Sequence, residues 1–191
     1  MNDTPRKSGR LQLLLIAAVF LGPLIVAFWL YSGDGSLQPE GRSNRGVLLE
    51  PIVNLADEVP DSSVAAQFER TWTLLYMNVS ACDEACIDAL YTARQARLML
   101  GKEMDRLERV FLHGEQRPDN LLVAEEHKGL ISLQDAPLQV VLENKKPQAL
   151  AGGGYYLVDP HGNLVMYFDP GIDPREMVDD IKRLLKLSRI G

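Results

Sequence analysis

The spacing of apolar residues divides the chain into an N-terminal run and a longer mixed region. Residues 11 to 31, LQLLLIAAVFLGPLIVAFWLY, are almost continuously apolar and carry no charge. A helix of this length, at a rise of about 1.5 Å per residue, spans about 30 Å, the thickness of the hydrocarbon core of a membrane. A cleavable signal peptide has a shorter apolar stretch of roughly 7 to 15 residues, so the pattern predicts a single retained transmembrane anchor.

Charges on either side of this run predict its orientation. Arg6, Lys7 and Arg10 precede it, whereas Asp34 and Glu40 follow it. Because basic residues favour the cytoplasmic side, residues 1 to 10 are predicted to be cytoplasmic. The remainder is then periplasmic or otherwise extracytoplasmic, on an inner (plasma) membrane.

Residues 32 to 46, SGDGSLQPEGRSNRG, are rich in Gly, Ser and charge, which predicts a flexible tether. Residues 47 to 191 are then long enough for one domain with its own core.

Within that domain, apolar runs alternate with helical patterns. WTLLYMNV (residues 72 to 79) predicts a buried strand, residues 83 to 100 a helix ended by Gly101, and LERVFL (107 to 112) a second, parallel strand. YYLVD, PHGN and LVMYF predict a β-hairpin, and a final helix is capped by Asp173. Four aromatic residues of the hairpin are predicted to pack in the core: Tyr155, Tyr156, Tyr167 and Phe168.

Other segments carry weaker patterns. GVLLEPIVNL predicts an irregular or extended lead-in, residues 119 to 127 a helix, LISL a short strand, and residues 138 to 150 a helix broken near Pro147. The apolar residues of the first helix, Ile87, Leu90, Tyr91 and Leu98, are predicted to share one face. The order of elements predicts an α/β fold.

Acidic residues dominate the outer domain. The chain has 20 Lys and Arg against 26 Asp and Glu, and without residues 1 to 10 the balance is 17 against 25, a formal charge of −8. Such a surface is a poor match for nucleic acid or for anionic lipid headgroups. Phosphate-loop, nucleophile-elbow and zinc-protease motifs are absent from the sequence.

Both cysteines of the chain, Cys82 and Cys86, lie where the first strand meets its helix, in NVSACDEACIDAL. One helical turn separates them, so the spacing permits a redox pair, a metal site or a structural disulfide. A helix N-terminus favours the thiolate, but Asp83, Glu84 and Asp88 oppose it. We therefore expect a weak oxidant, closer to a reductant or an inert disulfide. Cu(I) also remains possible, because two soft thiolates are suitable ligands for this ion.

The histidines differ in their value as further metal ligands. His113 follows the second strand, on the edge of the sheet where α/β sites form, and is the best candidate, although a surface loop is its commoner role. His161 belongs to the hairpin turn, on the far side of the domain, and His127 is uninformative. Met77 is predicted to fill the core, and the glycines of AGGGYY to allow close backbone approach beside the cysteines.

With an N-terminal anchor, a C-x-x-x-C after an apolar strand and the late segment YYLVDPHGNLVMYFDPGIDPREMVDDIKRLL, the sequence resembles the membrane-anchored Sco/SenC/PrrC family. The similarity is strongest at residues 72 to 100 and 154 to 187. It implies a thioredoxin-like fold, with Cys82 and Cys86 at the positions of the family's copper-binding cysteines. The family's distal copper-binding histidine is missing, because Ala151 stands at about its position.

This resemblance implies an assembly factor for cytochrome c oxidase. The pair would exchange disulfides with subunit II or another assembly factor, as a thiol-disulfide oxidoreductase, or deliver Cu(I) to the copper site of the oxidase. Cys82 is then expected to be the attacking thiol and His113 the replacement metal ligand. The alternative is a non-catalytic interaction protein in which the disulfide is structural.

Overall fold

A computed structural model describes residues 7–32, 44–60, 62, 68–116, 126–147 and 153–188 of the 191-residue chain. The chain divides into two compact units, residues 1–43 and 44–191, and each unit is described by itself.

The first unit contains one long helix, α1 (Lys7–Ser32), with Pro23 inside it. Its segment Leu11–Trp29 has a mean hydropathy of 2.5, and none of this segment is buried. Length and composition therefore suit a membrane span, as the sequence predicts.

The second unit is built on one six-stranded sheet in the order β1-β6-β5-β2-β3-β4. Its elements, in chain order, are β1 (Val47–Asn54), α2 (Leu55–Glu58), β2 (Trp72–Asn78), α3 (Glu84–Met99), a 3-10 helix (Gly101–Arg106), β3 (Leu107–His113), β4 (Leu130–Leu133), α4 (Ala136–Lys145), β5 (Gly154–Val158), β6 (Asn163–Phe168) and α5 (Pro174–Leu187).

The centre of the sheet follows the sequence prediction. Strands β2 and β3 are parallel, with registers running from Trp72 opposite Leu107 to Asn78 opposite His113. Strands β5 and β6 form the predicted antiparallel hairpin, in which Gly162 takes a positive φ of 80°. Because β2 pairs with both β3 and β5, its C-terminal end lies between two other strands.

Two hydrophobic clusters pack on the sheet, one including residues of α3 and α5 and the other including residues of α4. Alternation along β2 places Leu74 and Tyr76 in the first cluster and Leu75 and Met77 in the second. Tyr155, Tyr156, Tyr167 and Phe168 are all buried, which confirms their predicted core role.

The predicted apolar face of α3 is correct for Leu90, which is buried, and wrong for two of the other residues. Tyr91 and Leu98 are 54% and 48% exposed. The buried residues of the helix are Cys86, Ala89, Leu90, Ala93 and Ala96. Small side chains line this face, which lets the helix approach the sheet closely, so the larger apolar residues did not mark it.

The structure tests some of the predictions that rested on weaker sequence patterns. The lead-in is an edge strand, β1, antiparallel to β6, and α4 ends at Lys145, before Pro147. LISL is a strand as predicted. Most of the helix predicted at 119–127, the end of that predicted at 138–150, and Ala151 lie outside the described residues.

A buried carboxylate holds the start of the second unit. Asp180 of α5 is 2% exposed, and its Oδ2 accepts hydrogen bonds from the backbone N–H groups of Arg45, at 2.7 Å, and Gly46, at 2.9 Å. A Cβ at Gly46 would lie 2.5 Å from the side chains of Met166 and Phe168. The chain therefore enters the domain along α5 in a fixed position.

Candidate functional site

A disulfide joins Cys82 and Cys86, whose Cα atoms are 5.1 Å apart. Cys82 lies just before the N-cap residue Asp83, and Cys86 lies in the first turn of α3. Both a redox pair in its oxidised state and a structural disulfide have this form.

The two sulfurs differ in access to solvent. Cys86 is 1% exposed and belongs to the core cluster beneath α3, whereas Cys82 is half-buried and packs on the edge of that cluster. A visiting thiol or disulfide therefore reaches Cys82 first.

Asp83 caps the helix that carries the pair. Its Oδ1 accepts a hydrogen bond from the backbone N–H of Cys86 at 3.1 Å, which satisfies one of the free donors at the helix N-terminus. Asp83, Glu84 and Asp88 are exposed, so the tip carries three carboxylates beside the sulfurs. Burial, and secondarily the charge of Asp83, raise the pKa of Tyr76 to about 12.

Backbone segments crowd the ends of the central strands. A Cβ at Gly153 would lie 2.3 Å from the carbonyl oxygen of Met77, and one at Gly114 would lie 2.1 Å from that of Val79. Close approach thus requires glycine at both positions, as predicted for the glycine stretch. A cavity of about 510 Å³ opens beside this region and is lined by residues 77–80, which lead into Cys82, and by residues of α4.

His113 lies at the end of β3, directly opposite Asn78 in the register with β2. It is 5% exposed rather than a surface loop residue, and its Nδ1 lies 2.7 Å from the carbonyl oxygen of Gly114. A carbonyl can only accept, so Nδ1 carries a proton in this hydrogen bond.

No group of three His, Cys, Asp or Glu side chains placed to hold a metal ion occurs among the described residues. His161 is exposed in the hairpin turn, and Met77 is buried in the core, both as expected. His127, by contrast, is 2% exposed in a segment whose acidic composition suggested a surface.

Comparison with protein families gives two matches. A family described as transmembrane-like, thioredoxin-like, C-terminal domain matches residues 72–188. A second, described as transmembrane-like, N-terminal domain, matches residues 3–34. No curated protein matches the sequence.

Solved structures of Sco proteins share the fold. Arabidopsis thaliana ScoI with copper bound has 19% sequence identity and a TM-score of 0.53, over 65% of this chain and 89% of that one. Yeast Sco1 with copper bound has 18% identity and a TM-score of 0.53, over 64% and 82% of the two chains. The predicted α/β, thioredoxin-like fold is thus confirmed.

Proposed function

The chain belongs to the transmembrane-like, thioredoxin-like family, and from that premise we propose that it is a membrane-anchored thiol-disulfide exchange protein in the assembly of cytochrome c oxidase. The observation that carries the proposal is the Cys82–Cys86 disulfide at the N-terminus of α3, with one sulfur accessible and the other buried. The chain's resemblance to Sco assembly proteins supports the choice of oxidase subunit II as the partner.

The exchange step follows from the difference in access. In the reduced protein the Cys82 thiolate attacks one sulfur of a partner disulfide, and the other partner sulfur leaves as a thiolate. Cys86 then attacks the Sγ of Cys82, which releases the second partner thiol and forms the Cys82–Cys86 bond. The partner gains two electrons and the pair loses two, so an extracytoplasmic dithiol must reduce the pair again.

Negative charge at the N-terminus of α3 favours the transfer of electrons from the cysteine pair to the partner. A strongly oxidising pair depends on a stabilised thiolate, and three exposed carboxylates beside the sulfurs oppose that stabilisation. The pair therefore acts as a reductant, which is one of the two roles, reductant or inert disulfide, that the sequence leaves open.

The proposal also includes the orientation of the chain in the membrane. Arg6, Lys7 and Arg10, on the N-terminal side of the apolar run, support an N-terminus in the cytoplasm and residues 44–191 on the periplasmic side, where disulfides form and persist. A maleimide reagent that does not cross membranes should label a reduced Cys82 in intact spheroplasts, whereas labelling only after lysis would reverse the orientation.

Mixed-disulfide trapping tests the exchange. Full-length Cys86→Ser protein, with a soluble subunit II domain whose copper-site cysteines are oxidised, should form a covalent adduct through Cys82. Cys82→Ser should form far less, because Cys86 is buried. Equal or absent adducts in the two variants contradict the assignment. A reduction potential below about −300 mV would instead support the structural disulfide.

Copper is a second candidate, as cargo. Two reduced thiolates are soft ligands that suit Cu(I), and His113 is the residue that the sequence predicts as a third ligand. In the oxidised pair the sulfurs are bonded to each other and do not fit the ion. Anaerobic titration of the reduced full-length chain with Cu(I) should give one tight equivalent, weakened by His113→Ala if that ring is a ligand. Weak or superstoichiometric binding would remove copper from the proposal.

A further inference from the structure

A cationic cavity of about 280 Å³ lies between α3 and the β3–β4 edge of the sheet, away from the disulfide. Its lining residues come from three places in the chain: Arg94, Arg97 and Leu98 of α3, Arg109 of β3, and Glu126 and Lys128 before β4. We name it the arginine cavity. None of its lining residues belongs to the segment 77–86 that carries the candidate redox site.

Arg109 is the buried centre of this cavity. It alternates with Leu107 and Phe111 on the face of β3 that packs beneath α3, and it is only 3% exposed. Its Nη2 donates to the carbonyl oxygen of Lys128 at 2.8 Å, but Nε and Nη1 have no hydrogen-bond partner in the part of the chain that the structure describes. These two atoms carry three of the five guanidinium N–H donors, and buried donors left unpaired are costly. A buried cation with free donors that lines a cavity therefore fits an anionic ligand.

Charge in the arginine cavity is unbalanced. Arg97 forms an ion pair with Asp105 at 3.4 Å, and Glu126 is the single acid among the described lining residues. Counted over the described residues 126–147 and 68–116, four cations thus face two carboxylates, which leaves two positive charges in a domain whose total charge is negative. Burial, then Arg97 and Arg94, lower the pKa of Arg109 to about 10, so the guanidinium stays charged at neutral pH.

His127 adds no counter-charge. It is 2% exposed, and neither ring nitrogen has a hydrogen-bond partner among the residues that the structure describes. Burial, followed by Arg109 and Arg94, lowers the pKa of this imidazole despite an opposing effect of Glu126. The cationic cluster therefore lacks compensation among the described residues.

We propose that the arginine cavity binds a phosphate dianion, either free phosphate or the phosphomonoester group of a lipid headgroup. Two negative charges match the two uncompensated positive charges. Tetrahedral phosphate oxygens can accept from several directions at once, which suits the separate donors of Arg94, Arg109 and Lys128. The cavity of about 280 Å³ is large enough to admit such a group.

Calorimetric titration of the full-length chain in phosphatidylcholine nanodiscs with inorganic phosphate, at constant ionic strength in chloride, tests the proposal. We expect saturable one-to-one binding. The half-buried Arg94 is the deciding position, since Arg94→Gln should weaken binding by about tenfold, the loss of one charge-assisted contact. Lys182→Gln on α5 is the matched control, because it removes one exposed positive charge outside the cavity and should change nothing.

Arg109→Gln should abolish binding in protein whose melting temperature shows that it still folds. If it does not fold, Arg94→Gln alone decides. Absence of saturable phosphate binding, equal affinity in Arg94→Gln and wild type, or binding of an acidic peptide in place of phosphate would each overturn the proposal.

Nanodiscs that contain phosphatidic acid distinguish the two sources of the group. Competition with free phosphate supports the cavity and identifies the lipid headgroup as its ligand. Unchanged affinity supports free phosphate.

Discussion

Asp83, the residue that follows Cys82, accepts a hydrogen bond from the backbone N–H of Cys86 at 3.1 Å, so one carboxylate caps α3 and also belongs to the short segment that joins the two cysteines. Helix capping and redox chemistry are thereby coupled at a single side chain. Capping stabilises the helix tip, whereas the negative charge opposes formation of the thiolate.

Asp83→Asn should separate these two effects. Asparagine caps a helix nearly as well as aspartate, so the melting temperature should change little. With the charge removed, iodoacetamide should alkylate the reduced protein about threefold faster at neutral pH, because more thiolate is present. The same substitution at Asp173, the N-cap of α5, is the control and should leave the alkylation rate unchanged. A slower rate in Asp83→Asn would contradict the electrostatic argument.

The cysteine variants should differ in stability. Both Cys82→Ser and Cys86→Ser lose the disulfide, but only the second places a hydroxyl in the core cluster that Cys86 occupies at 1% exposure. We expect Cys86→Ser to be less stable than Cys82→Ser by about 1–2 kcal/mol. Urea unfolding of the full-length variants measures the difference, with chemically reduced wild type as the common reference. Equal stabilities would show that the site of Cys86 tolerates a polar group.

Alkaline unfolding should begin near pH 10. Burial raises the pKa of Tyr76 and of Tyr167 to about 12 in the folded state, from 10.0. The folded protein therefore holds protons that the unfolded chain has released, so stability is complete below about pH 10 and falls as the pH rises towards 12. Circular dichroism against pH should show this loss, and absorbance of tyrosinate should rise together with unfolding.

Tyr76→Phe should make the alkaline loss less steep, because one fewer proton is released on unfolding. Tyr91→Phe is the matched control, since Tyr91 is 54% exposed and its removal should leave the slope unchanged. A slope that both variants reduce equally would contradict the assignment to buried groups.

Gly153→Ala should destabilise the junction between β5 and β2. The new methyl group would lie 2.3 Å from the carbonyl oxygen of Met77, a backbone atom that cannot turn away. We expect a loss of about 1–3 kcal/mol, typical of overpacking. Gly171→Ala is the control, because its methyl would meet only the side chain of Asp169, at 3.3 Å, and thermal unfolding should show little change.

Local periodicity explains what could be predicted from the sequence. The central strands, the hairpin and α5 have apolar runs and capping residues that act over a few positions, such as Asp173 before Pro174. The face of α3 that contacts the sheet could not be predicted, since its contact residues are mainly alanine and cysteine and carry little hydrophobic contrast. Burial of Ala93 and Ala96 results from tertiary packing rather than from their own hydrophobicity.

The burial of His127 and Arg109 could not be predicted, because it depends on contacts between segments that are far apart in the sequence. His127 and Arg109 are polar residues in an acidic loop and an amphipathic strand, and only the pairing of β3 with β4 buries them together. A polar residue at an inward position of β3, between Leu107 and Phe111, was the one signal available. The position of Cys82 and Cys86 at the end of β2 was readable, because an apolar strand leads directly to it.

The hydrogen bonds that Asp180 accepts from the backbone N–H groups of Arg45 and Gly46 have a mechanical consequence. Any tension arriving through residue 44 enters the domain at α5, through hydrogen bonds to a carboxylate that is itself buried.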